Sequence, residues 1–296
     1  MNVKADTRRN VKAGTRQTKR PPWRRVGIWL QVALLAVICL VWIYPLLWIA
    51  SASFKSPLEV FTGGLGLLPD EWHPENYVRA WRDANFSQYM LNSVLVTLGT
   101  VIITVARCAL AGYAIARRDF IGRRAVIVVL VATLFAPTGL TIIPVVELSD
   151  MLGLLDSRTG MVLALAGGGH VAAVLLYAGY FRGIPRELEE AAIVDGAGFV
   201  RTFLSVMLPV ARPVTATVAV MTFLFTWNNF FIPLVFSFSR PELRTLAVGM
   251  LAFRGVDSTD WSGLAAAATL SLLPILIVFL ALQRYFVEGL AGAVKS

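Results

Sequence analysis

The side chains able to do covalent chemistry are few. The chain has two histidines, His73 and His170, and two cysteines, Cys39 and Cys108. Both cysteines fall in apolar runs, and the spacing implies neither a disulfide framework nor a metal cluster. No Ser/His/Asp or Cys/His set can be assembled, and no GxxxxGK[ST] run is present to cradle a phosphate on backbone N–H groups. The one glycine-rich stretch, Gly167-Gly168-Gly169-His170, lies inside an apolar run, where close helix packing is its expected use and His170 an interhelical hydrogen bonder. What the sequence offers instead is recognition chemistry. Trp227, Asn228 and Asn229 place a stacking face and two amides inside an apolar run. A sugar stripped of water needs such partners for its hydroxyls; interhelical hydrogen bonding, at about 0.6–2 kcal/mol each, is the alternative use. Arg107 also stands in an apolar run, where a cation costs roughly 2.5–3.5 kcal/mol. An acid on a companion subunit or an anionic solute would offset that cost.

These residues are positioned by long oily elements. Of 296 residues, 57% are hydrophobic and 15% charged, with mean hydropathy +0.68, whereas a soluble domain carries about 25% charge. The apolar residues come in six blocks, at about 26–50, 89–114, 126–146, 161–180, 214–238 and 263–283. Each approaches the roughly 20 residues that cross a hydrocarbon core as a helix. The expected fold is therefore an all-α membrane protein with six transmembrane helices. None of the blocks contains Asp or Glu, which weighs against an ion-coupled carrier, since such carriers keep ionisable groups near the midplane.

Lysine and arginine set the orientation. With the N-terminus inside, nine lie in the N-terminal tail, four at 117–124, four at 181–212 and two at the C-terminus, nineteen in all, against seven in the external loops. That bias places both termini in the cytoplasm. The basic run RRNVKAGTRQTKRPPWRR is read as a topology signal touching anionic lipid rather than as a nucleic-acid site. The expected domains are a basic tail at 1–25 and a six-span domain at 26–296. The first span is too long for a removable signal peptide and lacks a small-residue cleavage site.

Between the fourth and fifth blocks the chain turns half-polar. Pro185 suits the first turn of a helix, and Glu187, Glu189 and Glu190 follow near its positive end. Leu188, Ala191, Ala192 and Asp195 come at helical spacing, the alanines permitting close approach by another surface. Gly196 and Gly198 can adopt positive φ and stop the helix. A second short helix at about 200–207 then presents Phe203, Leu204 and Met207 before Pro209 ends it. Such a cytoplasmic helix-turn-helix suits either the groove of a soluble partner or the membrane surface.

The run EAAIVDGAGFVRTFLSVMLP resembles the EAA motif of permease subunits in bacterial binding-protein-dependent ABC importers, whose pattern is EAA, a glycine a few residues on, and a terminal LP. Glu190, Ala191, Ala192, Asp195, Gly196, Ala197, Leu208 and Pro209 all match it. The resemblance extends from about residue 42 to 296. PLLWIASASFKSPLEVF, ENYVRAW, LNSVLVT and TWNNFFIPL are similar to segments of carbohydrate-uptake permeases, and LLPILIVFLALQRYFVEGLAGAVKS to the end of the second permease in maltose-type sugar importers. The tail before Trp23 has no counterpart.

The resemblance implies an inner-membrane heterodimer of two permeases above an ABC ATPase dimer, with an extracytoplasmic solute-binding protein delivering a sugar. This chain would then bind no cofactor, ATP and Mg being held by the ATPase. Glu190 would pair with a basic residue of that ATPase, and Gly196 would form the turn. A polyol or glycerol phosphate as solute, or an ion-coupled secondary carrier, stands as the alternative.

Overall fold

The computed structural model describes residues 22–83, 85–135, 138–255 and 259–294, and among them every regular element is helical. The chain divides into two units, 1–48 and 49–296. The described part of the first is most of α1 (Pro22–Ala52), an apolar helix with Pro45 inside it. The basic tail, up to residue 21, lies outside the described residues.

In the second unit two short helices, α2 (Pro57–Thr62) and α3 (Glu75–Asp83), lead to α4 (Phe86–Arg117). Then come α5 (Arg123–Thr133), α6 (Ile142–Met151), α7 (Arg158–Gly167) and α8 (Val171–Gly183). The half-polar segment forms α9 (Glu187–Val194), α10 (Phe199–Thr202) and α11 (Leu208–Val210). The chain ends with α12 (Arg212–Trp227), α13 (Phe231–Phe236), α14 (Leu246–Gly249) and α15 (Trp261–Val294).

Among the described residues three unbroken helices are long and apolar enough to cross a bilayer: 28–52, Phe86–Arg117 and 261–283. Two more candidates are bent pairs, α7 with α8 at 58° and 199–210 with α12 at 81°, giving up to five. The block at 126–146, expected as one span, is two helices of 11 and 10 residues separated by a 3₁₀ turn at Thr138–Thr141. At 1.5 Å per residue neither reaches across about 30 Å of hydrocarbon alone. The bend between α7 and α8 corrects the packing expectation for Gly167–Gly169. A methyl group at Gly167 or Gly169 would meet nothing within 4 Å, so these glycines interrupt the helix rather than admit a neighbour, each being about 1 kcal/mol worse than alanine in a helix interior.

The core is organised around α4, which packs against α7, α8 and α12. Its inward stripe includes Cys108, Ala109, Gly112 and Tyr113, and it meets Val174, Tyr177, Ala178 and Phe181 of α8. Gly112 sets the separation. A Cβ there would stand 2.5 Å from the Tyr177 Cβ and 2.9 Å from the Ala178 backbone nitrogen. Toward the opposite end of α4 lies a second cluster, of Phe86, Tyr89, Phe223, Trp227, Leu246 and Phe253.

The stretch between α1 and α4 is folded. Ser56 caps α2, with Pro57 in the first turn. Lys55 is fully buried and donates to the Gly66 carbonyl at 2.7 Å, with Glu59 at 3.9 Å. Asn76 ties the carbonyls of Ser53 and Lys55 to α3. Arg79 makes a two-toothed contact with Asp260 at 2.9 and 3.1 Å, and Asp260 also accepts from the Gly263 N–H in the first turn of α15.

Gly112→Val is expected to push α4 off α8, at about 1–3 kcal/mol or more for overpacking. Detergent-solubilised protein should melt several degrees lower and lose its monodisperse elution peak, whereas Gly179→Ala, where a methyl meets nothing, should behave as the parent.

Candidate functional site

The half-polar segment is a two-helix loop whose turn is built on Gly196. Helix α9 ends with Asp195 as its cap residue, Gly196 follows at φ +79°, and two hydrogen bonds close the end: Ala197 N–H to the Ala192 carbonyl at 2.9 Å and Gly196 N–H to the Ile193 carbonyl at 3.0 Å. That pair of bonds is the Schellman arrangement, and it requires a left-handed residue where Gly196 stands. Gly198, expected to share this role, has φ −72° and merely precedes α10. Pro185 likewise lies ahead of the helix, two residues before Glu187.

The second helix runs on through Pro209 instead of stopping there. Between α10 and α11 the ladder slips by one residue into a π-turn at Phe203–Met207, with Leu208 N–H donating to the Phe203 carbonyl. Pro209 has no N–H to continue the ordinary pattern, and a π-turn takes up the missing bond. The chain then bends at Ala211 into α12, whose first turn holds Pro213.

The loop has an inner and an outer face. Glu189, Ala192, Thr202, Phe203 and Met207 are buried, while Glu187, Glu190, Ala191 and Asp195 are exposed. So are Leu188, Ile193, Val194 and Leu204, with Val194 at 86%. The two motif alanines therefore divide: Ala192 packs inward and only Ala191 faces out. Phe203 and Met207, expected at the surface, belong to the core with Tyr113 and Phe181. Leu208 and Pro209 are half-buried, as is Ala197 in the turn.

The inner face is held by a carboxylate that sequence reasoning treated only as a helix-end acid. Glu189 accepts a 2.7 Å hydrogen bond from the Tyr113 hydroxyl. It lies 3.7 Å from Arg117 Nε and 3.8 Å from Arg118, both at the end of α4. Arg117 also donates to the Ile184 carbonyl, just before α9. The Arg118 guanidinium sits 5.0 Å over the Phe199 ring, a cation–π contact. The Tyr113 ring stacks at 5.3 Å on both Phe199 and Phe203 and meets Phe181 edge-on at 5.4 Å. Arg117 and Arg118 were legible only as positive charge on the inner side, because a count of cations carries no information about which carboxylate they face.

The residues expected along a solute path fall on two elements, Arg107 on α4 and the other three around the end of α12. Trp227 is buried and stacks on Phe223 at 5.3 Å. Asn228 is exposed, its amide donating to the Leu224 carbonyl at 2.9 Å, and Asn229 accepts at 3.2 Å from the Ile232 N–H in the first turn of α13. Together they mark the break between α12 and α13. Arg107 is exposed on α4, and no ion pair among the described residues involves it. Next to it, the Cys108 thiol meets the His170 carbonyl at 3.8 Å. His170 Nε2 lies 3.0 Å from the Leu165 carbonyl, and its ring meets Phe225 edge-on at 5.5 Å.

Residues 108–292 match the family model described as "Binding-protein-dependent transport system inner membrane component". The chain is 36% identical over 272 residues to a probable ABC transporter permease protein, YurM, of Bacillus subtilis, covering 92% of this chain and 88% of the relative. It is 37% identical over 266 residues to the diacetylchitobiose uptake system permease protein NgcG of Streptomyces coelicolor, covering 89% and 86%. In structure it is similar to a chain of a bacterial ABC transporter involved in the import of the acidic polysaccharide alginate. That match has a TM-score of 0.77 and 25% identity and covers 90% of this chain and 99% of the other.

Because space around Gly196 is open, substitution there acts through the backbone alone. Gly196→Val is expected to cost about 1–2 kcal/mol from the left-handed conformation and to raise hydrogen exchange across 187–202. Gly196→Asn, which tolerates that conformation better, should fall between Val and the parent.

Proposed function

Since the chain belongs to the family of inner-membrane components of binding-protein-dependent transport systems, we propose that it is the carbohydrate permease of an ABC importer, one half of a path completed by a second permease. It works above an ABC ATPase dimer that binds ATP and Mg, and a solute-binding protein delivers the sugar from outside. Both termini lie in the cytoplasm, and residues 26–296 form the membrane domain behind the basic tail. That relatives are described as taking up diacetylchitobiose and alginate supports an oligosaccharide as the solute.

One observation carries this proposal: the motif loop is rigid on one side and open on the other. Its inner face is built into the chain's own core, while Glu190, Ala191 and the exposed Ile193 and Val194 face outward on α9. Three apolar or small positions beside an acid are what a helix lying in a partner's groove requires. Glu190 meets a cation of the ATPase there, Ala191 allows close approach, and the Asp195–Gly196–Ala197 turn fixes the angle of the second short helix. Ala192, Leu208 and Pro209 hold the loop's shape from within. Along the membrane path, Asn228 and Asn229 supply amides at the break after α12 and Trp227 stiffens it. Arg107 meets an acid of the companion permease or a polar group of the passing solute.

The purified chain alone should give no sugar uptake in liposomes. With ATPase, second permease and binding protein, uptake should become ATP-dependent. Glu190→Lys should lower that uptake by about tenfold or more, as expected for a close charge pair turned repulsive, while membrane insertion is retained. A cross-linker on Ala191→Cys should capture the ATPase. Uptake by the chain alone, or undiminished uptake by Glu190→Lys, would refute the assignment.

A further inference from the structure

The importer mechanism above uses the outward acid Glu190 and makes no use of Glu189. Yet Glu189 is the acid that the fold has buried. Its carboxylate receives one hydroxyl and faces two guanidinium groups, all from residues 113–118 at the end of α4. Burying a charge is unfavourable unless it is paired and hydrogen-bonded, and removing one partner of such a pair leaves the others uncompensated. Arg117, whose side chain is 5% exposed, would be left in that state.

The covalent routes out of α9 are not continuous helices. Upstream, Ile184 is extended, with ψ 134°, and Pro185 follows. Downstream come the Gly196 turn, the π-turn at Phe203–Met207 and the 81° bend at Ala211. A push on α9 along either route meets a corner first. The non-covalent route is direct, and three parts of the loop converge on it. Glu189 joins α9 to Tyr113, Arg117 joins the Ile184 carbonyl to the same turn of α4, and Phe199 and Phe203 stack on the Tyr113 ring.

We propose that Glu189 is a positioning residue that makes α9 and the cytoplasmic end of α4 move as one body, so that displacement of α9 by the ATPase reaches the membrane helices through α4. The proposal rests on the importer assignment and adds to it the element that receives the stroke. Glu189→Gln keeps an oxygen to accept the Tyr113 hydroxyl but loses the attraction to Arg117 and Arg118. Tyr113→Phe keeps the stacked ring and loses only the hydroxyl.

The test uses the assembled importer with its binding protein, reconstituted in proteoliposomes. It reads sugar imported per ATP hydrolysed, together with the distance between spin labels at Glu187→Cys on α9 and Leu110→Cys on α4 in a Cys39→Ser background. In the parent that distance should not change on adding ATP. Glu189→Gln should lower sugar imported per ATP by about fivefold or more, the lower end of a typical coupling energy, while hydrolysis continues near the parent rate and the label distance becomes ATP-dependent. Tyr113→Phe should show the same uncoupling to a smaller extent. Unchanged import per ATP in Glu189→Gln would overturn the proposal. So would an equal fall in hydrolysis and import that tracks the amount of assembled complex, which marks a fold-stabilising role only. A parent assembly that hydrolyses ATP without importing any of a panel of neutral oligosaccharides would instead remove the importer assignment, and this proposal with it.

Discussion

The close approach of α4 to α8 at Gly112 governs what the rest of the chain can do. In hydrocarbon, helices gain little from apolar burial against one another, so association rests on packing and on the few polar contacts that packing brings into range. The missing side chain at Gly112 lets α4 lie against Tyr177 and Ala178. That contact sets Tyr113 between Phe181 and the motif loop and brings Arg117 to the loop's first residues. The threonine-rich remainder of the same helix, with Thr97, Thr100 and Thr104 all buried, continues the rule: small side chains where backbones must be near.

From that contact follows a division of labour within eight residues of α9. Adjacent acids do opposite things because a helix turns 100° per residue. Glu189 faces the chain's own arginines, and Glu190 faces away. Adjacent alanines divide in the same way. The motif is thus two half-motifs on one helix: an inner one, which reads α4, and an outer one, which stays exposed. The glycine turn sits where the two short helices meet and keeps the outer face open, since nothing approaches it.

How much of this was legible in the sequence depended on the kind of signal. Long apolar blocks showed as helices because their length and composition are properties of the segment itself, and 89–114 and 263–283 recur nearly as expected within α4 and α15. The block at 126–146 did not, because an average over twenty residues hides a short interruption such as the turn at Thr138–Thr141. The Gly196 turn was legible because a positive φ has a residue preference, whereas the π-turn was not: Pro209 declares a missing donor but not how the ladder absorbs it. Which of three consecutive-looking acids turns inward was hidden as well. It depends on Tyr113 and Arg117, more than seventy residues away, and no local pattern carries that information.

The clasp between Arg79 and Asp260 has a consequence for how the molecule is made. The two residues are 181 positions apart, so at synthesis rates of about 5–20 residues per second roughly ten to forty seconds separate their emergence. During that interval α3 is held by Asn76, which bonds the carbonyls of Ser53 and Lys55 and accepts from Arg79, and its tie to the last helix forms only when Asp260 arrives. The clasp therefore closes late: it cannot form until the chain has been made as far as residue 260.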